Sequence, residues 1–474
     1  MVAGISGDSG KTLVTVGLIA ALKRRGHNIA AFKKGPDFID SAWLKAASGG
    51  SVRNLDTYLV PKQQVYETFT NNALESGINL IEGNRGLYDG FDIHGTHSTA
   101  ELAVLLRAPV VLVCNATKTT RTMAAIVLGM KAMASEPNIA CVIINQTAGE
   151  RHKGIVTKSV ENIAGIPVLG AIPRVKGKKL LPSRHLGLVT PAESSQTSEM
   201  IDYLGQLVGE NVDLDRLIKI AGESEKLAYQ DIETPRIGDK SVKVGYFADS
   251  AFTFYYPENL ESLDSCGAEL IPISSLENTA LPNVDALYIG GGFPETHAER
   301  LAANRSLMIS VKQMAERGLP IYAECGGLVY LCQSLTIDQT TYPMAGVFDV
   351  DLAMKKSPQG HGYSIMEVDV QNPFFSIGKK LRGHEFHYTT PTRIGLSVRS
   401  VLAVRRGSGF SEGRDGILKG NVWASYLHIH AAGEKAWAKN FVGLAKAVKI
   451  HGQNSQSFGG WSLMNSMAIF GGGN

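Results

Sequence analysis

The sequence predicts an α/β protein made of two parallel-sheet domains in tandem, on three observations. Short β-branched runs ending in glycine alternate with helical patterns along most of the chain, as parallel strands joined by helices do. At 474 residues the chain is about three typical domains long. The alternation also breaks off once, between about residues 190 and 240, and then resumes. A hydrophobic fraction of 44% against 19% charged residues is enough for a sizeable core. The excess of 47 basic over 44 acidic residues, +3, is too weak to recruit nucleic acid or an anionic membrane. The longest apolar stretch, Leu102 to Cys114, is broken by Arg107 and Pro109, so no segment is expected to span a bilayer. No basic-then-apolar leader opens the chain, which points to the cytoplasm. Five cysteines without a C-x-x-C pair argue against a disulfide scaffold or zinc ribbon and leave room for one reactive thiol.

The elements follow in order. Met1–Gly4 is a very short first strand, and Asn79–Ile81, Val110–Cys114, Cys141–Ile144 and Val168–Ala171 are the next. Helical patterns at Leu13–Arg24, Glu101–Leu106 and Arg121–Ala134 lie between them. Two short amphipathic helices, Ser198–Leu207 and Leu214–Ala221, then lead into a polar linker, Glu223–Lys240. The second series has strands at Val242–Phe247, Ala286–Ile289, Pro320–Ala323, Ser397–Val404 and Val422–Ser425. From Gly452 on, the chain has no charged residue and is rich in Gly, Ser and Asn, the composition of a disordered tail.

Gly4-Ile5-Ser6-Gly7-Asp8-Ser9-Gly10-Lys11-Thr12 sits between a strand and a helix, where a phosphate-binding loop belongs. Backbone N–H groups and the helix N-terminus would cradle phosphates, Lys11 would neutralise them, and Thr12 would place its hydroxyl on Mg²⁺. The usual spacing fails by one residue, because the first glycine is at 4 rather than 5. ParA/MinD-type ATPases carry a lysine four residues before the last loop glycine, and Ser6 stands there. The loop instead resembles the dethiobiotin-synthetase-like branch, whose members phosphorylate a carboxylate. Two acidic segments could complete such a site. Lys33-Lys34-Gly35-Pro36-Asp37-Phe38-Ile39-Asp40 sets two carboxylates beside two cations, and Glu82, in Glu82-Gly83-Asn84-Arg85-Gly86-Leu87-Tyr88-Asp89-Gly90, is expected at the C-terminal end of a strand, where ligands bind in open α/β sheets.

In the second half, Leu319-Pro320-Ile321-Tyr322-Ala323-Glu324-Cys325-Gly326-Gly327-Leu328 reads strand, sharp turn, helix, the geometry of a nucleophile elbow. The helix N-terminus is expected to lower the Cys325 pKa, and Gly326 to supply an oxyanion N–H. A thiol nucleophile needs a base, and His428 in Ser425-Tyr426-Leu427-His428-Ile429-His430 is the candidate. Gly290-Gly291-Gly292 after the strand Ala286–Ile289 could complete the oxyanion hole. Cys114, Cys141, Cys266 and Cys332 read as core. The segment Gly383-His384-Glu385-Phe386-His387-Tyr388 fits a metal or substrate site and equally a half-buried strand with alternating polar residues.

A carboxylate-phosphorylating domain followed by a Cys–His hydrolase domain resembles the cobyrinic acid a,c-diamide synthase family over roughly residues 1–445. The resemblance rests on the segments quoted above together with Asn54-Leu55-Asp56, Ser98–Ala103, residues 251–260 and Gly290–Glu295. It implies an N-terminal P-loop, dethiobiotin-synthetase-like domain over 1–190, a helical connector over 191–240, a class I (triad) glutamine amidotransferase domain over 241–450, and a tail over 451–474. Cys325 would attack glutamine with His428 as base, and Gly291, Gly292 and Gly326 would line the oxyanion hole. Most class I glutaminases carry a Glu two residues after this His; His430 stands there, which leaves the third member of the triad open. Gly7, Ser9, Gly10, Lys11 and Thr12 would bind ATP, and Asn145 would read adenine. Thr12, Asp37 and Glu82 would hold Mg²⁺, and Asp37, Glu82 and Asp89 would activate the substrate carboxylate. The partners implied are ATP, L-glutamine and a tetrapyrrole polycarboxylate, with a homodimer allowed for. Family members amidate cobyrinic acid, hydrogenobyrinic acid, Ni-sirohydrochlorin or sirohaem, cobyrinic acid being the commonest. The rival expectation, a ParA/MinD-like ATPase switch, fits neither Ser6 nor the Cys325/His428 pair.

Overall fold

The structure is a computed structural model that describes residues 1–134, 136–175, 183–184, 187–228 and 239–457. The chain divides into two compact units, Met1–Thr234 with Tyr255–Glu258, and Pro235–Phe254 with Asn259–Asn474.

The first unit is built on a seven-stranded sheet of β1 (Val2–Gly4), β2 (Ile29–Lys34), β3 (Arg53–Leu55), β4 (Ile78–Gly86), β5 (Val110–Asn115), β6 (Ile139–Thr147) and β7 (Val168–Pro173). Their order is β3-β2-β4-β1-β5-β6-β7, and every pairing is parallel. A parallel sheet is covered on both faces, so its strands read as unbroken apolar runs; Val110–Cys114 is fully buried in this way. Helix α1 (Lys11–Arg24) follows the Gly-rich loop and is buried along most of its length. It packs against helix Thr197–Asn211. A Cβ on Gly17 would lie 2.3 Å from Val208 Cγ2, and one on Gly205 2.7 Å from Ala20 Cβ. Glycine is thus what brings the two helix backbones together.

β2 and β3 were not expected. The run Ile-Ala-Ala-Phe-Lys-Lys ends in two cations and reads as a charged loop, yet Lys33 is completely buried because it pairs with acids. Glu82 lies inside β4 rather than at its end, in register with Val2 of β1 and Lys33 of β2.

The second unit carries a nine-stranded sheet of β8 (Val242–Phe247), β9 (Ala268–Ile273), β10 (Ala286–Ile289), β11 (Ile321–Glu324), β12 (Gly360–Val368), β13 (Lys380–His387), β14 (Arg399–Arg406), β15 (Arg414–Lys419) and β16 (Val422–Ser425). The order is β9-β8-β10-β11-β16-β15-β14-β12-β13. The half from β9 to β16 is parallel, and the rest is antiparallel. A four-stranded sheet lies within the same unit. β11 begins and ends one residue later than the sequence suggests, which brings Glu324 into the strand. Cys266 is half-buried rather than core.

Helix Ala436–Ser457 crosses residue 451, where the tail was expected to start. The remaining tail residues, and linker residues 229–238, lie outside the described residues. Among the described residues no helix is long and apolar enough to cross a membrane.

Candidate functional site

In the first unit, β1 ends at Gly4 and the loop turns into α1 through Gly10, at φ 88°, a left-handed conformation that favours glycine. A Cβ there would also lie 2.1 Å from Asn145 Nδ2. Asn145, fixed at the end of β6, donates to Ser9 O at 3.1 Å and accepts from Gln146 N–H at 2.9 Å. Each of its polar ends is thus anchored within the protein by one hydrogen bond, and the amide has a further N–H and a further lone pair beyond these. Ser9 Oγ accepts from Ser6 N–H and donates to Ser6 O, each at 3.0 Å. Lys11 Nζ reaches back over the loop to Ser6 O and Gly7 O at 3.0 and 2.9 Å. Burial lowers the Lys11 pKa, helped by the nearby Lys33 ammonium. The Cβ direction of Gly7 meets nothing within 4 Å.

Thr12, in the first turn of α1, donates to Glu82 Oε1 at 2.7 Å. Lys33 Nζ donates to the same oxygen at 2.9 Å and to Asp40 Oδ2 at 2.6 Å. Burial opposes the Lys33 charge, but Asp40 and Glu82 outweigh it and hold its pKa above the ordinary lysine value. The Glu82 carboxyl is pushed up by burial and pulled back by Lys33. Its second oxygen, Oε2, is buried with no hydrogen-bond partner, a costly arrangement unless a cation or donor completes it. Thr12 and Glu82 together offer oxygen donors only, the set that suits Mg²⁺.

Asp37 takes a different place from the one expected. Its Oδ1 accepts from Ile39 and Asp40 N–H at 2.9 and 3.0 Å and so caps helix α2 (Phe38–Ser48). Burial and the adjacent Asp40 raise its pKa to about 7. Asp40, quoted in the motif but given no role, is the acid that meets Lys33. Asp89 is exposed and closes a turn by accepting from Gly86 N–H at 2.8 Å. Of the residues expected around the metal, the structure joins Thr12 to Glu82 and ties Asp37 to its own helix. Among the described residues no group of three or more His, Cys, Asp and Glu side chains is placed to hold a metal ion.

In the second unit Cys325 stands between β11 and helix α3 (Gly326–Leu331) at φ 46° and ψ −97°. A non-glycine residue held there stores backbone strain, a mark of functional positions. Its N–H donates to Ser425 O at 2.7 Å, and its Sγ lies 3.6 Å from Phe386 O. The expected fall in its pKa is not found. Burial raises it, and the Glu295 carboxylate adds to this; the Gly326 N–H works the other way. α3 has only six residues, so its dipole is short, and desolvation wins. The Gly-rich turn after β10 lies against the elbow: a Cβ on Gly326 would be 3.0 Å from Gly292 N, and one on Gly291 2.4 Å from His428 Cε1. The three expected oxyanion glycines and the expected base thus come together.

His428 is buried, with its Nδ1 3.6 Å from Glu324 Oε2. The segment 383–388 proves to belong to this site as a strand. His384 exchanges backbone hydrogen bonds with His428 at 3.2 and 2.9 Å, and the two rings stack with centroids 4.8 Å apart. Burial and then His428 push the His384 pKa well below its usual value, so it sits there as neutral imidazole. Glu385 anchors the strand by accepting from Ser364 Oγ and Gly409 N–H, both at 2.9 Å. Sequence reasoning missed Glu324; the available signal was an acid directly before the nucleophile, at the end of an apolar strand.

Comparison with known proteins agrees with this geometry. The CobQ/CobB/MinD/ParA nucleotide binding domain matches residues 1–189, and the CobB/CobQ-like glutamine amidotransferase domain matches residues 243–436. A cobyrinate a,c-diamide synthase of Magnetococcus marinus is 40% identical over 437 residues, covering 91% of this chain and 93% of the relative. One from Archaeoglobus fulgidus is 40% identical over 452 residues, covering 95% and 97%. One from Listeria monocytogenes is 40% identical over 437 residues, covering 91% and 95%. A chain that carries both matched domains and aligns with such relatives over nearly its whole length belongs to the cobyrinate a,c-diamide synthase family.

Proposed function

We propose that the protein is a ligase that uses ATP and glutamine to amidate the a and c acetate carboxylates of a tetrapyrrole, converting cobyrinic acid to its a,c-diamide. One pairing on a single chain of this family supports the reading: a phosphate loop whose Thr12 is bonded to a buried glutamate, and a cysteine held at φ 46° on a strand–helix elbow.

In the second unit Cys325 Sγ attacks the side-chain carbonyl carbon of glutamine while its proton passes to His428. The N–H groups of Gly291, Gly292 and Gly326 receive the developing oxyanion. Collapse breaks the C–N bond, His428 returns the proton to the leaving nitrogen as ammonia departs, and a γ-glutamyl thioester remains. Water, deprotonated by His428, hydrolyses it to glutamate and the free thiol. Because burial keeps Cys325 a neutral thiol at rest, proton transfer to His428 is a necessary part of the attack rather than a preliminary to it.

In the first unit the loop N–H groups and Lys11 bind the ATP phosphates. Thr12 and Glu82 would hold Mg²⁺, which supplies charge neutralisation there. Asp37 and Asp89 are assigned to the carboxylate-activating site by the family resemblance, Asp37 by holding the start of its helix and Asp89 by closing the turn at Gly86. A carboxylate oxygen attacks the γ-phosphorus, ADP leaves, and an acyl phosphate forms. Ammonia then attacks the acyl carbon and inorganic phosphate leaves. The activation is required because a carboxylate would otherwise have to expel oxide. Ammonia generated by the enzyme is neutral when it reacts, whereas free ammonia near pH 7 is mostly ammonium.

The test is a mass-spectrometric assay with ATP, Mg²⁺ and glutamine, offering cobyrinic acid, sirohaem and Ni-sirohydrochlorin in parallel. Each amidation lowers the mass by about one unit, so two successive steps on cobyrinic acid are expected. Two steps on a sirohydrochlorin-derived macrocycle and none on cobyrinic acid would overturn the substrate. Glutamine hydrolysis without amidation of any of them would overturn the tetrapyrrole.

A further inference from the structure

A Cys–His hydrolase needs something to hold the imidazole in the right tautomer and to stabilise its charged form. His430 occupies the position where most class I glutaminases carry that acid. Its Nδ1 accepts from Ala432 N–H at 3.2 Å, which ties the ring to its own loop. The acid nearest the base comes from elsewhere in the fold. Glu324 is buried at 1% exposure, and its Oε2 lies 3.6 Å from His428 Nδ1. We propose that Glu324, the residue immediately before the nucleophile, is the positioning residue of the thiol site and completes the triad with Cys325 and His428; this rests on the amidotransferase reading above.

The surroundings of Glu324 hold it for that task. Tyr288 Oη donates to Oε2 at 3.1 Å, and Ile429 N–H, one residue past the base, donates to Oε1 at 3.2 Å. Asn259 locks the same loop from the other side: its Nδ2 donates to Ile429 O at 3.0 Å and to Tyr288 Oη at 3.3 Å, and its Oδ1 accepts from Ala431 N–H at 2.7 Å. A buried carboxylate that merely filled space would be expensive; this one is held by two segments of chain, which Asn259 ties to each other. The separation of 3.6 Å exceeds a hydrogen bond, and catalytic contacts of this type tighten when substrate binds. The His428 ring also stacks face to face with that of His384, whose charged form burial disfavours, so Glu324 is the charge that answers an imidazolium. The triad acid has thus moved from the loop after the base to the strand before the nucleophile, so that Glu324 and Cys325 are positioned by the same peptide unit.

The test is steady-state glutamine hydrolysis by wild type, Glu324→Gln and Glu324→Asp, across pH, with ammonium-supported amidation measured in the same preparations. The Gln variant keeps the size and the acceptor for Ile429 N–H but loses the charge. Its kcat for glutamine is expected to fall about 100-fold or more with KM changed only a few-fold. Without the carboxylate the imidazolium is less stable, so the acidic limb of its kcat/KM profile moves to lower pH, while ammonium-supported amidation is retained. The Asp variant keeps the charge one methylene further back and is expected to lose about tenfold in kcat with the limb in place. Wild-type kcat and an unmoved limb in Glu324→Gln overturn the proposal. If that variant does not fold, as absent ammonium-supported activity would show, wild-type kcat in Glu324→Asp overturns it instead. A wild-type chain that hydrolyses no glutamine contradicts the amidotransferase reading itself, and the proposal with it.

Discussion

At the end of β1 the chain turns into a helix through Gly10 at φ 88°, and at the end of β11 it turns through Cys325 at φ 46°. Both turns stand at the C-terminal edge of parallel strands, where the sheet leaves room for a ligand. The first uses glycine: a side chain would collide with Asn145, and in the proposed function the backbone N–H groups do the binding. The second places a side chain in the strained position, at a cost of about 1–3 kcal/mol that the packing around it must offset; in the proposed function that thiol is the reagent. The electrostatics differ as sharply. Lys11, Lys33 and Glu82 are buried beside the half-buried Asp40 around the loop, whereas burial keeps the thiol neutral at rest. The loop site is charged before any ligand arrives; on the proposed mechanism the thiol site becomes charged only during reaction, and so calls for a base and an acid behind the base.

The largest test of this contrast removes the reagent. Cys325→Ala is expected to lower glutamine-dependent turnover by at least about 10⁴-fold, while ammonium-supported amidation persists; equal loss of both would deny that the two sites are separable. Breaking the charged network comes next. Glu82→Gln should lower ATP-dependent amidation by about 10²-fold or more and leave glutamine hydrolysis intact, and full amidation in this variant would refute its role. The loop backbone gives a smaller effect. Gly10→Ala is expected to destabilise the first unit by about 1 kcal/mol or more and to weaken ATP binding by calorimetry, because both φ and Asn145 oppose a Cβ there. Gly7→Ala meets open space and should leave the melting temperature unchanged.

The smallest effect is one of pH. Asp415 is fully buried in β15, and burial raises its pKa from 3.8 to about 7. Its neutral form is the one the fold prefers, so its contribution to stability is complete below about pH 4 and is lost as pH rises to about 7. Asp415→Asn keeps an acceptor for Gly416 and Tyr426 N–H and cannot ionise. Its melting temperature relative to wild type should therefore rise between pH 5 and pH 8, and a constant difference would contradict the shift.

The parts of the fold that were legible in the sequence are those set by local chemistry. Apolar runs such as Val110–Cys114 announce buried parallel strands, and Gly-Lys-Thr and Cys-Gly-Gly announce turns whose geometry few residues allow. What the sequence concealed depends on distant partners. Lys33 reads as exposed until Glu82 and Asp40 arrive from other segments to pair it. Asp37 reads as a ligand, and only the folded chain shows that its Oδ1 also caps a helix. The Cys325 pKa was misjudged because a short helix is visible in the sequence and the depth of burial is not. Glu324 was overlooked because its relation to His428 exists only once β11 and β16 lie side by side.

In the proposed reaction the nitrogen freed at Cys325 is the nitrogen installed on the tetrapyrrole. The direct measurement uses glutamine carrying heavy nitrogen in its side-chain amide, with ATP, Mg²⁺ and cobyrinic acid, in a buffer holding unlabelled ammonium. The expected product is a diamide in which both new carboxamides carry the label, with an unlabelled diamide in Cys325→Ala. Unlabelled product from the wild-type chain would contradict it.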